Sequence, residues 1–144
     1  MHPHELHELR RRVLRSNNPD ISVADPRDEG ATSLHFAGFI GERLVVSSSW
    51  FACVAPMNPQ LVTYELRYMA TDFDIQRRGY ASVVLEEAEQ ELRRLGAQQL
   101  WANGRDSALG FYLATGWRVV EGSEHLSAET QLAHHVIFKI LAEP

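Results

Sequence analysis

The sequence predicts a mixed α/β (α+β) domain in which antiparallel hairpins come first and strand–helix alternation follows. Three observations carry this. Residues 33–70 fall into three apolar runs with strand-like alternation, separated by turn residues. From Gly79 the apolar spacing lengthens to that of a helix. After Gly96, short strand-like runs alternate with a second helical segment. The element order is then α, β, β, β, α, β, α, β, β, which gives a mixed, mostly antiparallel sheet with helices on both faces. No repeat, low-complexity tract or composition change interrupts the chain, so residues 1–144 are expected to form one domain.

Each element rests on local signals. In residues 4–15, Leu6, Leu9, Val13 and Leu14 share one helical face with charges opposite, and Asn17-Asn18-Pro19 stops the helix. Residues 21–31 are polar, contain Pro26 and Gly30, and read as a loop. Residues 33–40 and 43–51 form a hairpin about Gly41-Glu42. Pro56-Met57-Asn58-Pro59 turns the chain into a third strand, 60–70. After a loop over 71–78, residues 79–95 form a helix whose apolar side carries Ala81, Val84, Leu85, Ala88, Leu92 and Leu95. Gly96 ends it. A strand over 97–102 follows, then a short helix capped by Asp106, running to Ala114 and ended by Gly116. Residues 117–121 are a strand, 122–133 a loop, and 134–141 the last strand.

Composition narrows the function. With 44% hydrophobic and 23% charged residues the chain is globular rather than disordered. A net charge of −5 gives no reason to expect nucleic acid as a partner and weakly suits a cationic acceptor. The one cysteine, Cys53, excludes a disulfide within the chain and lies in an apolar run, where a structural role is expected. Residues 1–15 lack the apolar core of a signal peptide, and no stretch is apolar enough to span a bilayer. The expectation is a cytoplasmic protein with no membrane partner. None of the seven histidines has zinc-ligand spacing, so no metal is expected. Of His134 and His135, one points inward; a hydrogen-bonded core histidine is the plainer outcome, and a His134 bordering an acceptor site the other. Trp50, Trp101 and Trp117 read as packing residues.

The informative stretch is 64–117. There a strand leads through a loop into Gln76-Arg77-Arg78-Gly79-Tyr80-Ala81 and a long helix. The first N–H groups of a helix have no internal partner, and the helix dipole adds about half a positive charge there. A pyrophosphate fits such a place. Gly79 and Ala81 are small enough for close approach, and Arg77 and Arg78 add charge. A solvated turn is the plain alternative. Neither G-x-x-x-x-G-K-[ST] nor G-x-G-x-x-G is present, which argues against ATP loops and dinucleotide folds.

Gln76 to Ala81 resembles the [QR]-x-x-G-x-[GA] motif of the GNAT (Gcn-five-related N-acetyltransferase) superfamily. Ala108-Leu109-Gly110-Phe111-Tyr112-Leu113-Ala114-Thr115-Gly116-Trp117 resembles a second element of that family, in the expected order and place. The resemblance implies the GNAT acyl-CoA N-acyltransferase fold, with a V-shaped splay between the two central strands. It implies an acetyl-CoA cosubstrate and direct transfer of an acetyl group to a primary amine of a small-molecule or peptide acceptor. It also implies that Gln76, Arg77, Arg78, Gly79, Tyr80 and Ala81 hold the pyrophosphate, and that the main chain of Met69, Ala70 and Thr71 binds the pantetheine amides. Asn103, Ser107 and Phe111 are expected beside the same arm. Tyr112 matches the tyrosine near the thioester sulfur and is the candidate general acid. Glu65 is the candidate base, placed as in the histone acetyltransferase branch; other members use bound water, and a strand glutamate facing solvent or paired with Arg67 is the structural alternative. Where many members have asparagine, this chain has Arg105, which breaks the family's contact at that position. A catalytically silent CoA-binding sensor or interaction domain is the alternative function. Homodimers are common in the family.

Overall fold

The computed structural model describes residues 3–15, 23–128 and 130–141. Its elements are α1 (Pro3–Leu14), β1 (Leu34–Ile40), β2 (Arg43–Cys53), β3 (Thr63–Thr71), α2 (Tyr80–Arg94), β4 (Gln99–Arg105), α3 (Leu109–Ala114), β5 (Arg118–Val119), β6 (His125–Leu126) and β7 (Ala133–Ile140). Short 3-10 turns, Phe73–Ile75 and Asp106–Ala108, precede α2 and α3. The proposed helix stop at Asn17–Pro19 lies outside the described residues; Val23 to Asp25 carry no regular structure. The chain divides into two compact units, Met1–Phe51 with Arg67–Glu91, and Ala52–Leu66 with Leu92–Pro144.

In the first unit β1 and β2 pair antiparallel from Leu34↔Trp50 to Ile40↔Arg43, with an irregularity at Gly38/Phe39. The predicted turn is made by Gly41 at φ +61°. Residues 45–51 of β2 are all buried, so this strand is covered on both faces. Val84 of α2 packs near Gly38 and Val46, whereas Arg10 of α1 bonds Ser49. Positions 46 and 49 differ in parity, so the two helices flank the hairpin on opposite faces.

Arg10 departs from the sequence expectation. It was assigned to the charged face, yet it is fully buried. Its Nη1 donates to the Val23 carbonyl and to Asp28 Oδ2, both at 2.8 Å. Its Nη2 donates to Asp28 Oδ1 at 3.0 Å and to Ser49 Oγ at 2.7 Å. A buried guanidinium is tolerable only with such compensation. The polar segment 21–31 is therefore more than a loop, because it carries the buried carboxylates Asp25 and Asp28. Burial pushes the Asp28 carboxyl up, but the Arg10 hydrogen bonds, the Asp25 amide, the Arg10 charge and His7 outweigh it and bring it to about 2.

A carboxyl depressed on folding stabilises the protein above its unfolded pKa and loses that effect as pH falls through the folded value. The Asp28 contribution is thus complete above about pH 4 and disappears towards pH 2. Asp28→Asn is expected to destabilise by about 3 kcal/mol, since it leaves a buried arginine without its counter-charge. Denaturant titrations of both proteins between pH 2 and 7 check this. The gap between them should close at the acid end; a constant gap means the charge contributes nothing.

The second unit is built on β4. Thr63↔Gln99, Tyr64↔Leu100 and Glu65↔Trp101 pair in parallel. On its other edge β4 pairs antiparallel with β7, from Gln99↔Ile140 to Arg105↔His134. β7 also pairs with β5 and with β6. The parallel and antiparallel pairs together make the mixed sheet that was expected. Gln99 is fully buried; its amide joins Asn58 at 3.0 Å, and the Met57 carbonyl and Thr63 Oγ1 at 3.1 Å each. Cys53 accepts from Trp101 Nε1 at 3.1 Å, a packing role as expected.

Both predicted glycine stops hold. Gly96 has φ +97°, and the Ala97 N–H reaches back to the Leu92 carbonyl at 2.9 Å, closing α2 as a Schellman motif. Leu95, placed on its apolar side, is instead 45% exposed, because the chain has already begun to turn there. The strand expected over 117–121 shrinks to β5, and the loop over 122–133 contains β6.

Candidate active site

The first unit carries the turn entering α2. Its approach is fixed by carboxylates. The Asp72 N–H donates to the Val45 carbonyl at 2.7 Å. The Asp72 side chain takes hydrogen bonds from Arg12 at 2.6 Å, Arg43 at 2.7 Å and the Phe73 amide at 2.9 Å. Burial raises the Asp72 pKa, but the two arginines prevail and lower it. Arg43 also bonds Asp74 at 2.6 Å. Ile75 anchors the segment in a cluster with Val45 and Val46, against which Met69 and Val84 pack. Gln76 Nε2 then donates to the Thr71 carbonyl at 2.9 Å, tying the turn to the end of β3.

Beyond this anchor the backbone opens. Arg77 has φ +66° and Gly79 φ +84°. Two left-handed residues this close together turn the chain sharply into the helix start, where N–H groups have no internal partner. Val83 N–H to Gly79 carbonyl, at 3.2 Å, starts the helical ladder. The amides of Tyr80, Ala81 and Ser82 thus precede the first intrahelical bond. Gln76 to Tyr80 are all exposed, and a Cβ on Gly79 would meet no heavy atom within 4 Å. The first turn of α2 has no acidic residue. The turn is therefore open, electropositive and unshielded, and it gathers the whole predicted set from Gln76 to Ala81.

Met69, Ala70 and Thr71 close β3 in the same unit. The Met69 side chain packs against the apolar cluster and Ala70 is buried, so what these two have to offer a ligand is main chain.

The second unit holds Tyr112, Glu65, Asn103, Ser107 and Phe111. Tyr112 is positioned by the end of α3. Gly116 at φ +94° lets the Trp117 N–H return to the Tyr112 carbonyl at 3.0 Å. That closure brings the Trp117 ring to 5.4 Å from the Tyr112 ring, and Phe111 packs at 5.2 Å, both edge-on. Tyr112 is 6% exposed. Burial holds its hydroxyl well above the usual tyrosine range, with the Arg105 charge opposing in part.

Glu65 is buried, which removes the solvent-facing alternative. In the first unit Arg67 Nη1 contacts Asp25 at 3.4 Å. Asn103 and Arg105 lie within β4 rather than after it, because pairing with β7 continues to Arg105↔His134. Asn103 and Ser107 are exposed, and Phe111 is half-buried. Asp106 does not cap α3: no side-chain cap bond forms there. Its carboxylate instead contacts His135 Nδ1 at 2.6 Å. His134 is the inward histidine. It is buried, its Nδ1 lies 2.8 Å from the Leu132 carbonyl, and burial lowers its pKa. Among the described residues there is no metal-ligating group of three, and no helix is long and apolar enough to cross a membrane.

Two features went unread. The Asp106–His135 pair joins residues 29 apart and has no local signal. Arg10 did have one, since it falls with Leu6, Leu9 and Val13 at core-face spacing.

An open, electropositive helix start after one strand and a buried tyrosine after the next are what an acyl-CoA N-acyltransferase is expected to carry. Residues 5–117 match the acetyltransferase (GNAT) family, and the chain belongs to it. It is an N-acetyltransferase-class enzyme that moves acyl groups to amines. No curated protein is significantly similar in sequence. Solved structures share the fold at low identity. An N-acyl amino acid synthase, FeeM, from uncultured soil microbes is 13% identical, with TM-score 0.76 over 95% of this chain and 89% of that one. An acyl-CoA N-acyltransferase from Pseudomonas aeruginosa is 15% identical, with TM-score 0.73 over 94% and 88%. An aminoglycoside 6'-N-acetyltransferase complexed with coenzyme A is 12% identical, with TM-score 0.71 over 98% and 92%.

Proposed function

We propose that this protein transfers an acetyl group from acetyl-CoA to a primary amine of a small-molecule or peptide acceptor by direct attack, with residues 1–144 acting as one catalytic domain. The observation that carries this is the open turn at Gly79, left-handed and free of acidic side chains, to which a pyrophosphate brings the missing acceptor atoms. Gln76, Arg77, Arg78, Gly79, Tyr80 and Ala81 hold the phosphates. The main chain of Met69, Ala70 and Thr71 reads the pantetheine amides, with Asn103, Ser107 and Phe111 along the arm.

In the reaction the neutral amine attacks the thioester carbonyl. The C–N bond forms, the C–S bond breaks, and one ammonium proton must leave. Glu65 or a bound water takes that proton. Tyr112 stands at the departing sulfur. It acts as the general acid, giving its proton to the thiolate as charge builds on sulfur. The aminoglycoside and the amino acid in the names of two of the similar structures are examples of amine acceptors. A cytoplasmic setting and possible self-association belong to the same proposal.

Calorimetric titration with acetyl-CoA tests it. Binding near micromolar Kd, about −8 kcal/mol, together with thiol release over an amine panel, is the expected result. Binding without turnover of any amine would mark a CoA sensor instead, and no detectable heat would remove the cofactor altogether.

A further inference from the structure

β3 contains a break that the sequence does not announce. Its buried positions alternate at Thr63 and Glu65 and then slip by one, to Leu66, Tyr68 and Ala70. Such a slip is what a bulge produces. Beyond it, inside β3, Tyr68 has φ +58°. For a residue with a bulky side chain this conformation is unfavourable by about 1–2 kcal/mol, and it persists only where the surroundings impose it.

Those surroundings are visible. The guanidinium carbon of Arg10 lies 4.0 Å from the Tyr68 ring centre, that of Arg67 4.7 Å and that of Arg15 6.0 Å. All three are within cation–π range. The Tyr68 hydroxyl approaches Asp25 Oδ2 at 3.4 Å, and Tyr68 is 8% exposed. Arg10 cannot yield, because Val23, Asp28 and Ser49 hold both of its terminal nitrogens. Downstream, Asp72 is pinned to Val45. The main chain of Met69, Ala70 and Thr71 is therefore fixed at both ends, by Tyr68 before it and Asp72 after it.

We infer that Tyr68 is a positioning residue for the acyl-CoA arm: its ring, held by Arg10, Arg67 and Asp25, keeps the backbone left-handed and so aims the peptide groups of Met69 to Thr71. This rests on the main-chain contacts proposed above. It makes α1, which carries no proposed contact with the cosubstrate, part of what sets cosubstrate affinity.

The test separates backbone conformation from loss of the ring. Tyr68→Gly and Tyr68→Val both remove the ring, but only glycine accepts φ +58° readily. Calorimetry with CoA is expected to give the glycine variant an affinity within about threefold of wild type, and the valine variant about tenfold weaker, as 1–2 kcal/mol implies. Tyr68→Phe, which keeps the ring, should bind like wild type. If the valine variant does not fold, Tyr68→Ala against Tyr68→Gly reads the same difference at smaller amplitude. Steady-state kinetics should place the effect in KM for acyl-CoA rather than in kcat at saturation. Equal CoA affinities for the glycine and valine (or alanine) variants, with wild-type binding intact, overturn the positioning role and leave the transferase proposal standing. Absence of CoA binding by the wild-type protein overturns both.

Discussion

Tyr112→Phe is expected to lower kcat by about 10²–10³-fold while leaving affinity for acetyl-CoA unchanged. The substitution removes one oxygen from a ring clasped edge-on by Phe111 and Trp117, so the packing of α3 survives. What disappears is the donor proposed for the sulfur, an interaction that would strengthen only as charge develops there. The pH profile adds a second reading. Because burial keeps the Tyr112 proton in place far above neutral pH, no Tyr112 ionisation should appear in the wild-type rate between pH 6 and 9, a range in which unperturbed tyrosine is also protonated. Any limb in that range belongs to the acceptor amine or its base, and the phenylalanine variant should keep it. Stopped-assay thiol release at saturating acetyl-CoA measures both. A variant as active as wild type would return Tyr112 to packing alone.

Gly79→Glu is expected to abolish measurable CoA binding, a loss of at least about 100-fold, for two separable reasons. A carboxylate placed among the amides proposed to hold the phosphates would repel them and compete for the same donors. In addition, φ +84° is a conformation that glycine alone adopts at little cost. The protein itself offers no clash, since a Cβ there meets nothing within 4 Å. The fold should therefore survive with a penalty of about 1–2 kcal/mol, or a fall of roughly 2–8 °C in Tm. Gly79→Ala shares the backbone strain without the charge and should bind CoA with intermediate affinity. Calorimetry and thermal melts on the pair separate the two causes, and wild-type affinity in the glutamate variant would rule out a phosphate site at this turn.

The elements with strong period signals were legible. The hairpin about Gly41, α2, its Gly96 stop and the short helix closed by Gly116 follow from apolar spacing and glycine placement alone. The open turn entering α2 was legible because Gln76 to Ala81 is contiguous. What escaped depends on contacts distant in sequence. Its spacing put Arg10 on the core face, but the partners that make its burial tolerable, Asp28 and Ser49, lie 18 and 39 residues away. Asp106 looked like a helix cap because Asp before an apolar run usually is one; His135 claims it instead, from a strand made much later in the chain. The left-handed Tyr68 escaped for the opposite reason. A tyrosine in a β-rich segment is a good strand former, so local preference pointed away from the conformation adopted.

The Arg10 cluster bears on the order of assembly during biosynthesis. Helix α1 is made before every group that receives its guanidinium, and Ser49 and Tyr68 arrive only with β2 and β3. A nascent α1 therefore has no dry place for a cation and must stay hydrated, waiting on the ribosome until the hairpin and the following strand emerge. Although it precedes them in the chain, α1 is then among the last pieces of its unit to dock, and a stall in synthesis before residue 68 would leave its apolar stripe, Leu6 and Leu9, uncovered.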